Sequence, residues 1–153
     1  MQAQTVAMDF QKVFRVTDKT FLGLAGLATD VQSVSQLLKF KINMYKMNEE
    51  RDIKPKTLSA LLSNMMYEKR FGPWFVEPMM TKDFVVAGTM EEALYGMCES
   101  MYKPDMEEED LFETLSQCLL SACNRDALSG WGAVVHIITP KGITSKKLQS
   151  RQD

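Results

Sequence analysis

Alternation of apolar and polar residues predicts strands near both ends of the chain. Residues 12–16 and 20–24 have the pattern of two strands, with a turn at 17–19 between them. Residues 133–139 are nearly all apolar, as expected of a strand covered on both faces. A Pro-Lys-Gly turn then leads into a last strand at 143–148.

Apolar residues at three- and four-residue spacing predict four helices between these strands. The first two are joined by a polar loop at 48–52 and should lie antiparallel, with Pro55 in the first turn of the second. Extended pieces are expected at 74–78 and 83–87, before the second pair of helices. The residues expected to cap helix N-termini with their side-chain oxygens are Thr29, Asp30, Thr89 and Asp105. The four apolar stripes are Val31, Val34, Leu38, Ile42 and Tyr45; Leu58, Leu61, Leu62, Met65 and Met66; Leu94, Met97, Cys98 and Met101; and Leu111, Phe112, Leu115, Cys118, Leu119 and Ala122.

This order of elements indicates a mixed α/β (α+β) fold in which two sheets carry pairs of helices on their outer faces. A chain of 153 residues is long enough for one domain with a real core, so we expect a single domain over residues 1–153. The net charge of −2 gives no basic surface for nucleic acid or for a membrane. No apolar run reaches the length of a membrane span, and we expect no secretory signal.

The residues most often used in metal and redox chemistry are few. Cys98, Cys118 and Cys123 form no C-x-x-C pair, and two of them occupy apolar helix positions, so we interpret them as buried thiols in a reducing compartment. His136 is the one histidine and falls on an apolar strand, which favours a core histidine over a catalytic or metal-binding one. We therefore expect no metal site and no cofactor. The 12 methionines are core filler or belong to helix faces that pack against other proteins.

Five segments carry a family resemblance: GLAGLATD at 23–30, YEKRFGP at 67–73, YGMCES at 95–100, LFET at 111–114 and RDALSG at 125–130. Together they resemble the β subunits of the eukaryotic proteasome core, in particular those of the beta type-3 kind. The resemblance implies the four-layer α/β/β/α sandwich of N-terminal nucleophile hydrolases. It also implies a place in a seven-membered β ring that stacks on a second β ring and on α rings.

Compared with that family, the chain is short in two places. Relatives are expected to carry a pair of strands ahead of Gln2. Between Pro78 and Thr81 they are expected to carry about one β-hairpin more than Met79-Met80 supplies. We therefore expect a partial proteasome β-type domain that lacks several strands.

Catalysis in this family uses an N-terminal threonine, whose hydroxyl attacks the peptide carbonyl while its amine acts as the base. Aligned on the resemblance, Lys12 matches the lysine that lowers the barrier by its charge, and Gly26 matches the glycine of the oxyanion site. Asp126 and Ser129 match the pair that orients the amine. The threonine has no counterpart, and the beta type-3 position is non-catalytic in the family. We therefore expect these four residues to be remnants without a nucleophile.

Each remnant also has a purely structural interpretation. Lys12 can balance a buried carboxylate such as Asp126. Gly26 can permit a close approach of the backbone of a strand and a helix. Asp126 and Ser129 follow a helix and precede a strand, where hydrogen bonding within a turn explains both.

The sequence therefore predicts a non-catalytic structural subunit of the 20S proteasome core, in the cytoplasm and nucleus, with other α and β subunits as partners. The expected role is to complete the β ring and the chamber wall for ubiquitin- and ATP-dependent protein degradation. Two alternatives stay open at this point: a threonine-type endopeptidase whose nucleophile is missing from this sequence, and a truncated form that does not assemble.

Overall fold

The computed structural model describes residues 4–78 and 83–150, which form two compact units. One unit comprises residues 11–80, and the other comprises residues 1–10 together with 81–153. The predicted shortening at Met79 to Thr81 lies outside the described residues.

The first unit begins with a hairpin and continues into two helices. Strands β1 (Val13–Thr17) and β2 (Thr20–Gly23) pair antiparallel around the predicted turn. A two-residue strand, β3 (Ala25–Gly26), leads into helix α1 (Ala28–Glu49). Helix α2 spans Pro55–Glu68, and strand β4 (Val76–Glu77) then pairs antiparallel with β3.

The apolar stripes predicted for α1 and α2 are confirmed. The buried residues are Val31, Val34 and Leu38 on α1 and Leu58, Leu62 and Met65 on α2. The polar loop ends α1 where expected, at Glu49, and Glu50 takes a left-handed backbone conformation. Pro55 is the first residue of α2, as predicted. An ion pair of 3.7 Å between Lys41 and Glu68 joins the two helices, and their antiparallel arrangement stays a prediction.

The second unit contains a pair of helices and a long hairpin. Helices α3 (Glu91–Met101) and α4 (Glu108–Cys123) pack around a core of Val86, Leu94, Cys118 and Ala122. Strands β5 (Ala133–Thr139) and β6 (Gly142–Leu148) form an antiparallel ladder in continuous register. Both strands and the turn between them match the sequence prediction.

Several predicted details of the second unit are wrong. Residues 83–87 form no ladder, although Val86 is buried in the core. Strand β5 is covered on one face only: Val135 is buried, whereas Val134 and Ile138 are exposed. A two-stranded ladder with one covered face needs apolar residues at alternate positions only. The continuous apolar run of β5 therefore predicted more burial than the strand has.

None of the predicted capping residues caps its helix through its side chain. Helix α1 begins one residue before Thr29, with Leu27 at the N-cap position. Asp105 has a left-handed φ of 56°, and α4 begins only at Glu108. The acidic first turn of α4 still places negative charge near the positive end of the helix dipole.

The mixed α/β character is thus confirmed, whereas the sandwich stays a prediction. Within residues 4–78 and 83–150, the strands pair as three two-stranded antiparallel ladders rather than two larger sheets. None of the helices in this part of the chain combines the length and the apolar character needed to cross a bilayer.

Candidate functional site

Asp126 is the centre of a hydrogen-bonded cluster in the second unit. Its Oδ2 atom accepts a hydrogen bond of 2.6 Å from the Thr89 hydroxyl and one of 2.7 Å from the Ser129 hydroxyl. The two hydroxyl oxygens lie 3.1 Å apart, so all three side chains are in mutual contact. We call Thr89, Asp126 and Ser129 the Asp126 cluster.

The local sequence explains why the carboxylate of Asp126 is held in place. Helix α4 ends at Cys123, and the amide of Arg125 closes the next turn onto the carbonyl of Ala122 at 3.1 Å. The other carboxylate oxygen of Asp126 accepts from the backbone amide of Leu128 at 3.2 Å, which forms an Asx-type turn. This is the turn hydrogen bonding required by the structural interpretation of Asp126 and Ser129.

Sequence analysis missed the role of Thr89 because a local pattern suggested another one. The T-x-x-E pattern predicts that the Thr89 hydroxyl accepts an amide hydrogen from the first turn of α3, but Met90 is the N-cap residue and no side-chain cap forms. The hydroxyl instead donates to Asp126, 37 positions along the chain. A hydrogen bond from a hydroxyl to a carboxylate is stronger than one to a neutral acceptor, which stabilises this contact. No local sequence pattern predicts a hydrogen-bond partner 37 positions away.

Gly26, in the first unit, is required by the close approach of β4. Its φ is +127°, and a Cβ atom at this position would lie 2.1 Å from the carbonyl oxygen of Phe75. That same oxygen accepts the amide of Leu27 at 2.9 Å, so the contact is part of the pairing between β3 and β4. The structural interpretation of Gly26 is correct in kind, but the neighbour is a strand rather than a helix.

Asp30 also has a role that its position at a helix start did not predict. Its Oδ2 atom accepts from the backbone amide of Phe75 at 3.0 Å, which ties the first turn of α1 to the segment before β4. The partner lies 45 positions away, again beyond the reach of any local pattern. Asp30 and Gly26 therefore fix the same short stretch of backbone.

Lys12 has an exposed side chain, and its carbonyl oxygen accepts the amide of Leu24 at 2.9 Å, which extends the pairing of β1 and β2. Of the four residues that match the family site, the structure brings Asp126 and Ser129 together in one unit. Lys12 and Gly26 belong to the other unit. The pairing of Lys12 with Asp126 stays a prediction.

Other chemistry is sparse in the part of the chain that the structure describes. No three side chains among its His, Cys, Asp and Glu residues come together in a way that could hold a metal ion. The Nδ1 atom of His136 lies 2.7 Å from the Ser145 hydroxyl on the paired strand, so this half-buried histidine is hydrogen-bonded. An open cavity of about 520 Å³ lies beside the Asp126 cluster and is lined by residues 88–93, Ala122, Arg125 and Asp126.

Helix α1 carries an exposed apolar stripe next to its buried one. Four side chains at i, i+3, i+7 and i+10 form it, with Phe40 62% and Met47 74% exposed. They are Leu37, Phe40, Met44 and Met47. Two of the four are methionines, which agrees with the prediction of Met-rich helix faces available to other proteins.

Comparison with known proteins identifies the family. The sequence profile of proteasome subunits matches residues 1–82 and residues 79–138, which together are most of the chain. The chain belongs to the proteasome subunit family.

The resemblance to the beta type-3 kind is confirmed by three relatives. Proteasome subunit beta type-3 of Dictyostelium discoideum is 51% identical over 176 residues, with 100% of this chain and 86% of the relative covered. Proteasome subunit beta type-3-A of Arabidopsis thaliana is 48% identical and proteasome subunit beta type-3 of Picea mariana 47% identical, at the same coverage.

The predicted internal shortening is compatible with these matches. The stretch matched in Dictyostelium discoideum has 176 positions, against 153 residues in this chain. The family profile matches this proteasome subunit as two segments, residues 1–82 and residues 79–138, which overlap at 79–82. The longer aligned stretch and the division of the profile match at 79–82 are compatible with the shortening predicted near Met79-Met80.

Proposed function

We propose that this chain is a non-catalytic, structural subunit of the 20S proteasome core particle. Its role is to contribute to the β ring and to the wall of the chamber in which ubiquitin- and ATP-dependent degradation takes place. Full coverage of the chain by proteins named proteasome subunit beta type-3, at 51% identity for one of them, supports this role. The matches favour neither a catalytic threonine-type subunit nor a form that does not assemble.

The state of Asp126 is the observation that carries the non-catalytic assignment. In a working site the matching aspartate and serine orient the reacting amine, a role implied by the family resemblance. Here Oδ2 of Asp126 accepts from Thr89 and Ser129, and Oδ1 accepts from the Leu128 amide. These bonds brace the end of α4 against the segment before α3, so Asp126 and Ser129 have a structural use that needs no substrate.

The finer architecture belongs to the same proposal. We assign the chain to stacked heptameric rings of α and β subunits, to the four-layer α/β/β/α sandwich of N-terminal nucleophile hydrolases, and to the cytoplasm and nucleus. The exposed stripe on α1 supports assembly with other subunits, because a row of four large apolar side chains in water favours a protein partner.

Assembly is tested by following a tagged copy of the chain in cell extract on a glycerol gradient. The wild-type chain is expected to sediment with the intact core particle. The double variant Phe40→Glu/Met47→Glu should stay in the light fractions, because burying two carboxylates at an interface is unfavourable. Gln32→Glu on the same helix is the matched control, since it adds a carboxylate at an exposed position outside the stripe. A wild-type chain confined to the light fractions would refute the structural role.

The absence of catalysis is tested separately with fluorogenic peptides of basic, acidic and apolar specificity. The purified chain is expected to give no turnover that a threonine-directed inhibitor removes. Asp126→Asn should leave this background unchanged. Inhibitor-sensitive turnover that Asp126→Asn lowers would show that the cluster takes part in catalysis.

A further inference from the structure

Thr89 is the exposed member of the Asp126 cluster. Its hydroxyl donates to Oδ2 of Asp126 at 2.6 Å and lies 3.1 Å from the Ser129 hydroxyl. Asp126 and Ser129 are half-buried, whereas Thr89 is exposed. The segment 83–90, which contains Thr89, forms neither helix nor strand, so another protein can bind it without opening a helix or a ladder. Thr89 therefore carries a hydroxyl that an enzyme can reach.

The T-x-x-E pattern at Thr89, which caps no helix, is also a pattern that acidophilic protein kinases recognise. Such a kinase selects its substrate by charge, through basic residues that pair with a carboxylate three positions after the hydroxyl. Glu91 and Glu92 follow Thr89 at the second and third positions. No other threonine in the sequence has an acidic residue three positions later. Ser150 is the one serine that does, and the basic Arg151 follows it directly.

The cavity beside the Asp126 cluster has room for a phosphate group on Thr89. Its volume is about 520 Å³, and its open side faces solvent. The charged side chains in its lining are Glu91, Glu92, Arg125 and Asp126. Three carboxylates against one guanidinium give the cavity a negative potential. A phosphate with a charge of about −1.5 to −2 at neutral pH is therefore repelled from Asp126.

The dipole of α3 does not offset this repulsion. A helix N-terminus attracts negative charge, and Thr89 directly precedes the N-cap residue Met90. Glu91 and Glu92 in the first turn of α3 already supply that charge. A phosphate on Thr89 would add like charge beside both of them. The hydrogen bond from Thr89 to Asp126 therefore has no electrostatic replacement at the start of α3.

We propose that Thr89 is a phosphorylation site for an acidophilic serine/threonine kinase, and that the phosphate releases the start of α3 from Asp126. The Oγ1 atom of Thr89 attacks the γ-phosphorus of ATP, the bond from that phosphorus to the β–γ bridging oxygen breaks, and ADP leaves. The hydroxyl proton passes to the catalytic aspartate of the kinase. The ester oxygen that remains has no hydrogen, so the 2.6 Å bond to Asp126 is lost. Every residue of this site belongs to the second unit, so the release does not depend on assembly with other subunits.

The site is tested by incubating the full chain with ATP and a purified kinase of the casein kinase 2 type, followed by mass spectrometry of its peptides. A single phosphate on Thr89 is expected. Glu92→Gln should slow the transfer at least about tenfold, because a charge-assisted contact with the kinase is lost. Glu99→Gln is the matched control and should react at the wild-type rate. It removes an exposed carboxylate of the same helix that lies outside the pattern.

The release of α3 is tested by amide hydrogen exchange of the phosphorylated chain, measured by NMR. The reporter is the Leu94 amide, which donates to the Met90 carbonyl at 2.9 Å in the first turn of α3. It should exchange at least about tenfold faster after phosphorylation, because a bond to a carboxylate that holds this turn is lost. The Leu111 amide, which donates to the Glu107 carbonyl at the far end of α4, should keep its rate.

Two results would overturn the phosphorylation site: the kinase places no phosphate on Thr89, or Glu92→Gln accepts it as fast as Glu99→Gln. Circular dichroism of both variants shows that a difference in rate does not come from lost helix. Two further results would overturn the release of α3: exchange of the Leu94 amide is unchanged by phosphorylation, or the Leu94 and Leu111 amides accelerate equally. Equal acceleration would mean a general loosening of the unit.

Discussion

Replacing Gly26 with alanine tests whether this family-matching glycine is needed for the fold. Two separate features of the position oppose a side chain. The backbone has a φ of +127°, and the new Cβ would lie 2.1 Å from the Phe75 oxygen and 2.9 Å from its carbonyl carbon. The atoms in the way are backbone, so no side-chain rotation relieves the contact, and β4 has to move away from β3.

The expected loss of stability can be estimated from these two features. Forcing a residue other than glycine into this backbone conformation costs about 1–3 kcal/mol. Moving β4 also lengthens the bond from the Leu27 amide to the Phe75 oxygen and at least one bond of the β3–β4 ladder, at about 0.5–1.5 kcal/mol each. We therefore expect Gly26→Ala to lower the free energy of unfolding by about 2–6 kcal/mol.

Gly23→Ala is the matched control. Gly23 is the last residue of β2, and no atom lies within 4 Å of the position its Cβ would take. Its effect should stay within about 0.5 kcal/mol. Both variants are measured by urea unfolding, with circular dichroism as one probe and tryptophan fluorescence as the other, since Trp74 lies two residues before β4. If Gly26→Ala and Gly23→Ala are equally stable, the close approach of β4 does not require a glycine at position 26. The family match to an oxyanion glycine would then be the remaining explanation for Gly26.

Three further predictions concern single side chains. Asp126→Ala should lower the free energy of unfolding by about 2–3 kcal/mol and Thr89→Val by about 1 kcal/mol, because hydrogen bonds to a carboxylate are lost. If both variants are as stable in urea as the wild type, the Asp126 cluster does not stabilise the fold. Asp30→Ala should lower the free energy of unfolding by about 1–2 kcal/mol and Thr29→Ala should leave it almost unchanged, because only Asp30 accepts a hydrogen bond from the Phe75 amide. A larger loss for Thr29→Ala than for Asp30→Ala in the same assay would support Thr29 as the N-cap residue. Because the folded state raises the pKa of Cys98, it favours the protonated thiol, so stability should fall as the pH rises through and above the ordinary thiol range. Cys98→Ala should remove that fall in urea titrations at several pH values, and an unchanged pH dependence in this variant would assign it to another group.

Elements with a strong local period could be predicted from the sequence to within a few residues. The buried stripes of α1 and α2, the start of α2 at Pro55, and the hairpin of β5 and β6 are all confirmed. Periodicity succeeds here because each stripe or alternation reports which side of an element avoids water. Residues 83–87 pair with no strand, although Val86 is buried in the core.

The family was also accessible from the sequence, because short motifs such as GLAGLATD and RDALSG keep their order and spacing along the chain. The use of individual polar side chains was not accessible. Thr89 and Asp30 both match local helix-start patterns, yet each is hydrogen-bonded to a residue on a distant segment. A local pattern ranks only the partners within a few residues, and a strong partner brought close by folding competes with all of them.

What the sequence by itself determined is therefore the family, the mixed α/β class, the helices and the terminal hairpin. What only the tertiary structure decided is which groups meet: Thr89 with Asp126 and Ser129, Gly26 with the backbone of Phe75, and Met101 with Cys118. The physical reason is the separation along the chain over which each kind of interaction acts. Apolar periodicity and turn preferences act between residues close together along the chain, whereas these contacts join segments that only packing brings together.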